Sequence, residues 1–199
     1  MFDPVKGPWT VLTLPTDQTS ARLFLRTFTG RLFDPALAAG EIDIRDIAHA
    51  LAQTCRFGGH VRTFFSVAQH SVLVSERAEA IDQGAGLWGL LHDASEAYLL
   101  DIPTPLKLSP LFAPYRELEA QLQTAIYQHF GCVGEVPGAV VLADEAQLAV
   151  EFRDLMPELP GDAWRARAAG DPPLRPMTCA EAESAFLSRF CALTPRRHS

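Results

Sequence analysis

The chain has 199 residues, 48% of them hydrophobic, and a formal net charge of −7. That length and apolar content fit one globular domain with its own core, since domains commonly run to about 100–200 residues. No basic run exists beyond Arg196-Arg197, which excludes the clustered Lys and Arg surface that a polynucleotide needs and leaves only a basic pocket for one small anion.

In chain order, residues 1–40 are rich in Thr, Phe, Pro and Gly. They hold β-like runs at Val11-Leu12-Thr13-Leu14 and at Arg31-Leu32-Phe33, the latter ending at Asp34-Pro35, which predicts an irregular or hairpin-bearing arm. From Asp43 the pattern turns helical. Ile44, Ile47, Ala48, Leu51 and Cys55 fall on one face, and Arg56-Phe57-Gly58-Gly59 stops the helix. Ser66 with Gln69 spells a capping box, so a second helix is expected from about Val67. After Gln83-Gly84-Ala85-Gly86, the residues Leu87, Leu90, Leu91, Ala94 and Tyr98 mark a third helix that ends before Pro103. Pro110 and Pro114 frame the entry to a fourth, with Leu118, Leu122, Ala125, Ile126 and His129 on one face and Gly131 as its cap. Pro137 starts a fifth, carrying Val140, Val141, Leu148, Phe152 and Leu155. Residues 157–176 read as loop, and a Thr178-x-x-Glu181 box opens a last helix with Ala185, Phe186, Phe190 and Leu193. The expected fold is an all-α bundle with a small N-terminal β element in a single domain: an arm over 1–40, a helical core over 43–155, then a loop and helix over 157–199.

Four cysteines, Cys55, Cys132, Cys179 and Cys191, lack any C-x-x-C pair, so buried thiols are expected rather than a zinc knuckle or disulfide framework. The opening Met1-Phe2-Asp3-Pro4-Val5-Lys6 has no signal-peptide character, and no apolar run approaches the roughly 18 residues of a membrane span. A cytoplasmic protein is expected.

Three helices carry an ionisable group where the pattern calls for an apolar one, and burying such a group without a partner costs several kcal/mol. Asp144 lies one turn from both Val140 and Leu148, so something positive must meet it. His70 sits between Val67 and Val74, and His92-Asp93 is followed by Glu96 on the same side of its helix. Two imidazoles and two carboxylates make a donor set for a first-row divalent ion with positions left open for water, although a lone histidine on an apolar stripe is more often a satisfied core group. His49 and His129 read as flank and helix-end histidines. His60, after two glycines, could reach a base.

The segments Ser66-Val67-Ala68-Gln69-His70-Ser71, Leu91-His92-Asp93-Ala94-Ser95-Glu96-Ala97 and Asp101-Ile102-Pro103-Thr104-Pro105-Leu106-Lys107, with Asp144 on a later helix, resemble the HD-domain metal-dependent phosphohydrolases. The likeness is greatest to their branch of 5′-deoxynucleotidases and dATP triphosphohydrolases and covers roughly residues 46–155. It implies an HD helical bundle and one divalent ion (Mn, Co, Fe, Ni or Zn) on His70, His92, Asp93 and Asp144. It further implies catalytic carboxylates at Glu96 and Asp101, an arginine on the substrate phosphate at Arg56, and a substrate-binding loop over Asp101, Ile102, Pro103 and Thr104. His70, Asp93 and Asp144 then face the substrate as well as the ion, and Lys107 adds a point charge. Phe57 stands where the family has a tryptophan that packs on the sugar, and Gly58-Gly59-His60 departs from shorter relatives. The function implied is release of phosphate from (deoxy)nucleoside monophosphates. Alternatives are removal of the whole phosphate chain from a triphosphate, for which Arg56, Lys107 and Arg62 are the visible cations, and a nucleotide sensor without turnover. The partners implied are a small nucleotide and, in a homodimer, a second copy.

Overall fold

The computed structural model describes residues 25–34, 42–158 and 163–194. The run Val11–Leu14, Pro35 and the pair Arg196-Arg197 lie outside them. The described chain is mostly helical with one small antiparallel sheet. Strand β1 (Leu25–Arg26) pairs with β2 (Leu32–Phe33) in the register Leu25↔Phe33 and Arg26↔Leu32. Gly30, at φ +85°, closes the turn between them. The hairpin is anchored twice: Phe33 is buried and stacks on Tyr98 with ring centroids 3.9 Å apart, and Thr29 donates from N and Oγ1 to Asp46 at 2.7 and 2.9 Å.

Helix α1 (Ile44–Gln53) starts where the Asp43 carboxylate accepts the Arg45 N–H, and buries Ile47, Ala48, Leu51 and Ala52. It ends two residues earlier than the Ile44-to-Cys55 stripe suggests, because Cys55 pairs with Ser66 in an isolated β-bridge. Arg56–Gly59 then form a 3-10 turn with Phe57 and Gly58 in left-handed backbone. Helix α2 (Val67–Ile81) is capped by Ser66 Oγ, which accepts the Gln69 N–H at 3.1 Å. The other half of the expected box is absent. The Gln69 amide instead donates to the Arg175 carbonyl at 2.8 Å and accepts from the Met177 N–H at 2.9 Å, because a buried amide finds both partners in the returning chain.

The expected third helix divides into α3 (Gly86–Leu91) and α4 (Glu96–Leu99), separated by a turn over His92–Ser95. A short α5 (Thr104–Lys107) and a 3-10 turn at Pro110–Phe112 lead into α6 (Ala113–His129), beyond which Gly131 takes φ +83°. Helix α7 (Gly138–Leu155) follows Pro137. The stretch expected to be loop contains one helical turn, α8 (Trp164–Arg167). Helix α9 (Cys179–Leu193) carries the complete Thr178/Glu181 capping box.

Of three apolar clusters among the described residues, the smallest seats α8 on α7 and the other two hold the bundle. The larger joins α1, α2, α3, α6 and α9 through residues such as Leu51, Val67, Leu90, Leu91, Leu122, Ile126 and Phe186. Full burial of such a side chain contributes about 1.5–3 kcal/mol. The second seats α7 on α2 through the smaller Val74, Ala78, Ala139, Val140 and Ala143. Small residues let the two helices approach closely, and that seam positions the site. Among the described residues no helix is long and apolar enough to cross a membrane.

Candidate metal centre and its flanking pocket

His70, in the second turn of α2, is fully buried. His92 and Asp93 occupy the turn that breaks α3 from α4, so their side chains leave the helix axis and turn toward α2. His70 Nε2 and His92 Nε2 lie 3.2 Å apart. Asp93 Oδ2 is 3.6 Å from the first and 3.3 Å from the second. The donor atoms of these three residues lie within 4.8 Å of one another, a grouping able to hold a metal ion. Asp144, from α7, adds Oδ1 at 3.2 Å from His70 Nε2 and 3.9 Å from His92 Nε2. Asp144 does not lie on the core face of α7 as its spacing suggests. That face runs through Val140, Ala143, Gln147 and Val150, which leaves the Asp144 side chain 41% exposed at the rim.

The outer nitrogens fix which ring atoms face inward. His92 Nδ1 donates to the Gly89 carbonyl at 2.8 Å, and His70 Nδ1 donates to Glu151 Oε1 at 2.6 Å. Both Nε2 atoms are thereby left as the inward pair, and two imidazole nitrogens at that separation need a proton or a cation between them and the carboxylates. Burial and Arg56 push the His70 pKa down, yet Glu151 and Asp144 carry it up to about 9. Asp93 and Asp144 sit below the usual carboxylate range: burial opposes this, and the imidazoles and Arg56 outweigh it. A divalent ion would displace the His70 proton and take over its charge.

Glu151 is a residue of this site that the sequence did not single out. Fully buried, it binds His70 through one oxygen and Arg56 Nε through the other at 3.1 Å, while Gln147 donates to it at 3.0 Å. Against burial, His70 and Arg56 hold its pKa down at about 2. Gln147 is tied in turn to Arg77 at 3.0 Å. Asp144, Gln147 and Glu151 repeat at helical spacing along α7, and that polar stripe was the available signal.

Arg56 reaches from the 3-10 turn to Glu151 and, at 3.4 Å, to Asp93. It also lines a cavity of about 480 Å³ together with Phe57, Asp101, Pro103, Thr104, Pro105, Leu108, Leu148, Phe152 and Trp164. The expected substrate residues Arg56, Phe57, Asp101, Pro103 and Thr104 are thus brought together, whereas half-buried Ile102 does not line the cavity. Burial raises the pKa of Asp101 against the pull of Arg56. Glu96 is buried with Oε2 lacking a hydrogen-bond partner among the described residues, and burial together with Asp93 and Asp101 raises its pKa well above the ordinary value.

Lys107 is not a free point charge. It binds Glu96 at 3.0 Å and Glu119 at 2.6 Å, beside a polar cleft that it shares with His92, Asp93 and Arg116. Arg62 and His60 are exposed and do not line the cavity. His49 stacks on Phe28 and binds Glu183, and His129 sits in the last turn of α6 against Phe130, both away from the site. Cys132 is buried, Cys55 and Cys179 are half-buried and Cys191 is exposed; all four are free thiols.

No family model matches the sequence. Over 133 residues the chain is 40% identical to the uncharacterized protein YfdR of Escherichia coli, a match covering 66% of this chain and 72% of that protein. It is 36% identical over 141 residues to an uncharacterized protein of Rhodobacter capsulatus, covering 66% of this chain and 70% of the relative. At that identity and coverage the chain belongs to the family of YfdR.

Proposed function

We propose that this protein is an HD-type, metal-dependent phosphohydrolase that releases phosphate from nucleoside 5′-monophosphates. The observation that carries the reading is the convergence of His70, His92, Asp93 and Asp144 from three separate segments onto one point, with both imidazoles oriented from behind by Gly89 and Glu151. Two imidazoles and two carboxylates accept manganese, cobalt, iron, nickel or zinc. When bound, such an ion supplies a polarised water near neutral pH and draws charge from a phosphate oxygen.

The chain's own residues do the rest. Arg56 spends Nε on Glu151 and Nη1 on Asp93, which holds the guanidinium plane still and leaves the remaining N–H groups to a phosphate oxygen. Glu96, anchored at Oε1 by Lys107 and with its pKa raised, retains a proton for the leaving oxygen. Asp101, at the pocket wall, orients the attacking water or the sugar. Monophosphates are favoured over triphosphates because the two cations at the site are already matched, Arg56 by Glu151 and Asp93 and Lys107 by Glu96 and Glu119, which leaves only Arg116, held by the Lys107 and Ser109 carbonyls, in the adjoining cleft. A longer phosphate chain would meet Asp93 and Glu119 with little free positive charge.

The test is phosphate release from a panel of ribo- and deoxynucleoside mono- and triphosphates with manganese or cobalt, beside Asp93→Ala. Turnover that requires Asp93 and is fastest on a monophosphate is expected. If metal-loaded protein turns over no member, the reading passes to a nucleotide sensor; if triphosphates are faster, it passes to a triphosphohydrolase.

A further inference from the structure

Helices α7 and α8 bring together a group of rings for which the metal site gives no reason. Phe152 and Trp164 stack at 4.6 Å with planes 15° apart, and Phe57 meets Phe152 edge-on at 5.2 Å. All three line the cavity of about 480 Å³ that opens beside Arg56. Its other walls are Leu108, Leu148, Pro103 and Pro105, with Asp101 and Thr104 as the polar residues besides Arg56. A concave apolar space of this size with a few polar groups in its wall is the usual form of a small-molecule site.

Backbone strain marks the same place independently. Among the described residues, Phe57 (φ +55°) and Leu100 (φ +71°) are the two non-glycine residues in left-handed backbone. Phe57 is part of the wall, and Leu100 immediately precedes Asp101. Such conformations are costly and persist where the surroundings or a ligand require them. Gly58 lies against Pro103, whose Cγ would be 3.6 Å from a Cβ at that position, so the strained turn abuts a residue of the pocket wall.

We infer that Phe152, Trp164 and Phe57 wall a binding site for the flat aromatic base of the substrate, and that this site holds the base by apolar contact rather than by bonds to its polar edge, since the ring faces themselves are engaged by one another and by Arg56 and Arg167. The inference rests on the phosphohydrolase reading only in placing the phosphate at Arg56. Ring edges along such a wall favour a planar π-system over an aliphatic chain, and edge-to-face contact tolerates every base because each has a π-face. The scarcity of polar wall groups predicts modest discrimination among adenine, guanine, cytosine and thymine. It also predicts strong discrimination against phosphoesters that carry no base.

The experiment measures dissociation constants on the full-length protein in EDTA, with a parallel series in manganese, by calorimetry and by tryptophan emission. Ligands are adenosine and thymidine 5′-monophosphates, ribose 5-phosphate and decyl phosphate. The nucleotides are expected to bind roughly tenfold or more tighter than ribose 5-phosphate, and Phe152→Ala or Trp164→Ala to remove most of that advantage. Nucleotide-induced quenching present in the wild type and absent in the gentle variant Trp164→Phe reports the site even if the alanine variants do not fold. Equal affinity for nucleotide and ribose 5-phosphate, tighter binding of decyl phosphate, or quenching that survives Trp164→Phe overturns the inference. Binding in EDTA stands without turnover, so failure of the hydrolase reading is seen separately. Conversely, hydrolysis with an unchanged KM in Trp164→Ala would remove the base site and leave the hydrolase.

Discussion

Glu151 organises more of the site than any proposed ligand does, since one carboxylate orients His70, holds Arg56 and receives Gln147. Glu151→Ala leaves a buried guanidinium and a buried imidazole without their partner, and a loss of about 3–5 kcal/mol is expected in urea denaturation. Glu151→Gln keeps the shape but gives up the charge. It is expected to weaken manganese affinity roughly 10–100-fold, as read by titration calorimetry, while the fold survives. Of the four proposed ligands, His70 was legible as a polar interruption of a buried stripe, whereas Asp144, on the rim of α7, and His92 and Asp93, in a turn, came into the set through the resemblance rather than through spacing that the structure keeps. Glu151 was legible in neither way. Counting apolar positions on α7 favoured Val141, which is 55% exposed, over Gln147 and Glu151, which are buried. The polar residues win the interior because Arg77, Arg56 and His70 arrive from other elements to meet them, and spacing along one helix cannot show that.

Among the elements, the junction of α2 with α3 has the least tolerance. A Cβ added at Gly89 would lie 3.0 Å from Ser75 Cα and 3.1 Å from Ala78 Cβ, and the Gly89 carbonyl is the partner that orients His92. Gly89→Ala gains about 1 kcal/mol in helix propensity. The overpacking costs about 1–3 kcal/mol and shifts His92, so a lower Tm and weaker metal binding are expected together. Normal metal affinity in this variant would show that the Gly89 carbonyl does not set the His92 geometry. At this scale the sequence located α1, α2, α6, α7 and α9 well, because each carries a long stripe with a stop or cap. It ran α3 into α4 because Leu87 to Tyr98 keeps helical period across a turn whose reason is tertiary: His92 and Asp93 must face α2. The single turn α8 is too short to show a period.

At the scale of the whole molecule, proton and metal linkage decide stability. In the metal-free protein Glu151 has a depressed pKa, about 2 against an ordinary 4.5. Its contribution is therefore full above the ordinary value and is lost as pH falls from there through about 2. His70 has a raised pKa, about 9 against 6.5, so its contribution is full below 6.5 and is lost as pH rises through about 9. Urea midpoints are expected to be highest near pH 5.5 and to fall toward about pH 3 and pH 9. Saturating the site with manganese at about a hundredfold over Kd adds about 2.7 kcal/mol, and Asp93→Ala abolishes that gain. The clasp on α2 is also long in sequence: the buried Gln69 amide, next to His70, takes both its partners from Arg175 and Met177, and α9 packs on α1 and α2 just beyond them. A chain cut before Arg175 would keep all four donors yet leave that buried amide unpaired beside His70, so the far segment acts as the fastening of a clasp whose jaws lie about a hundred residues upstream.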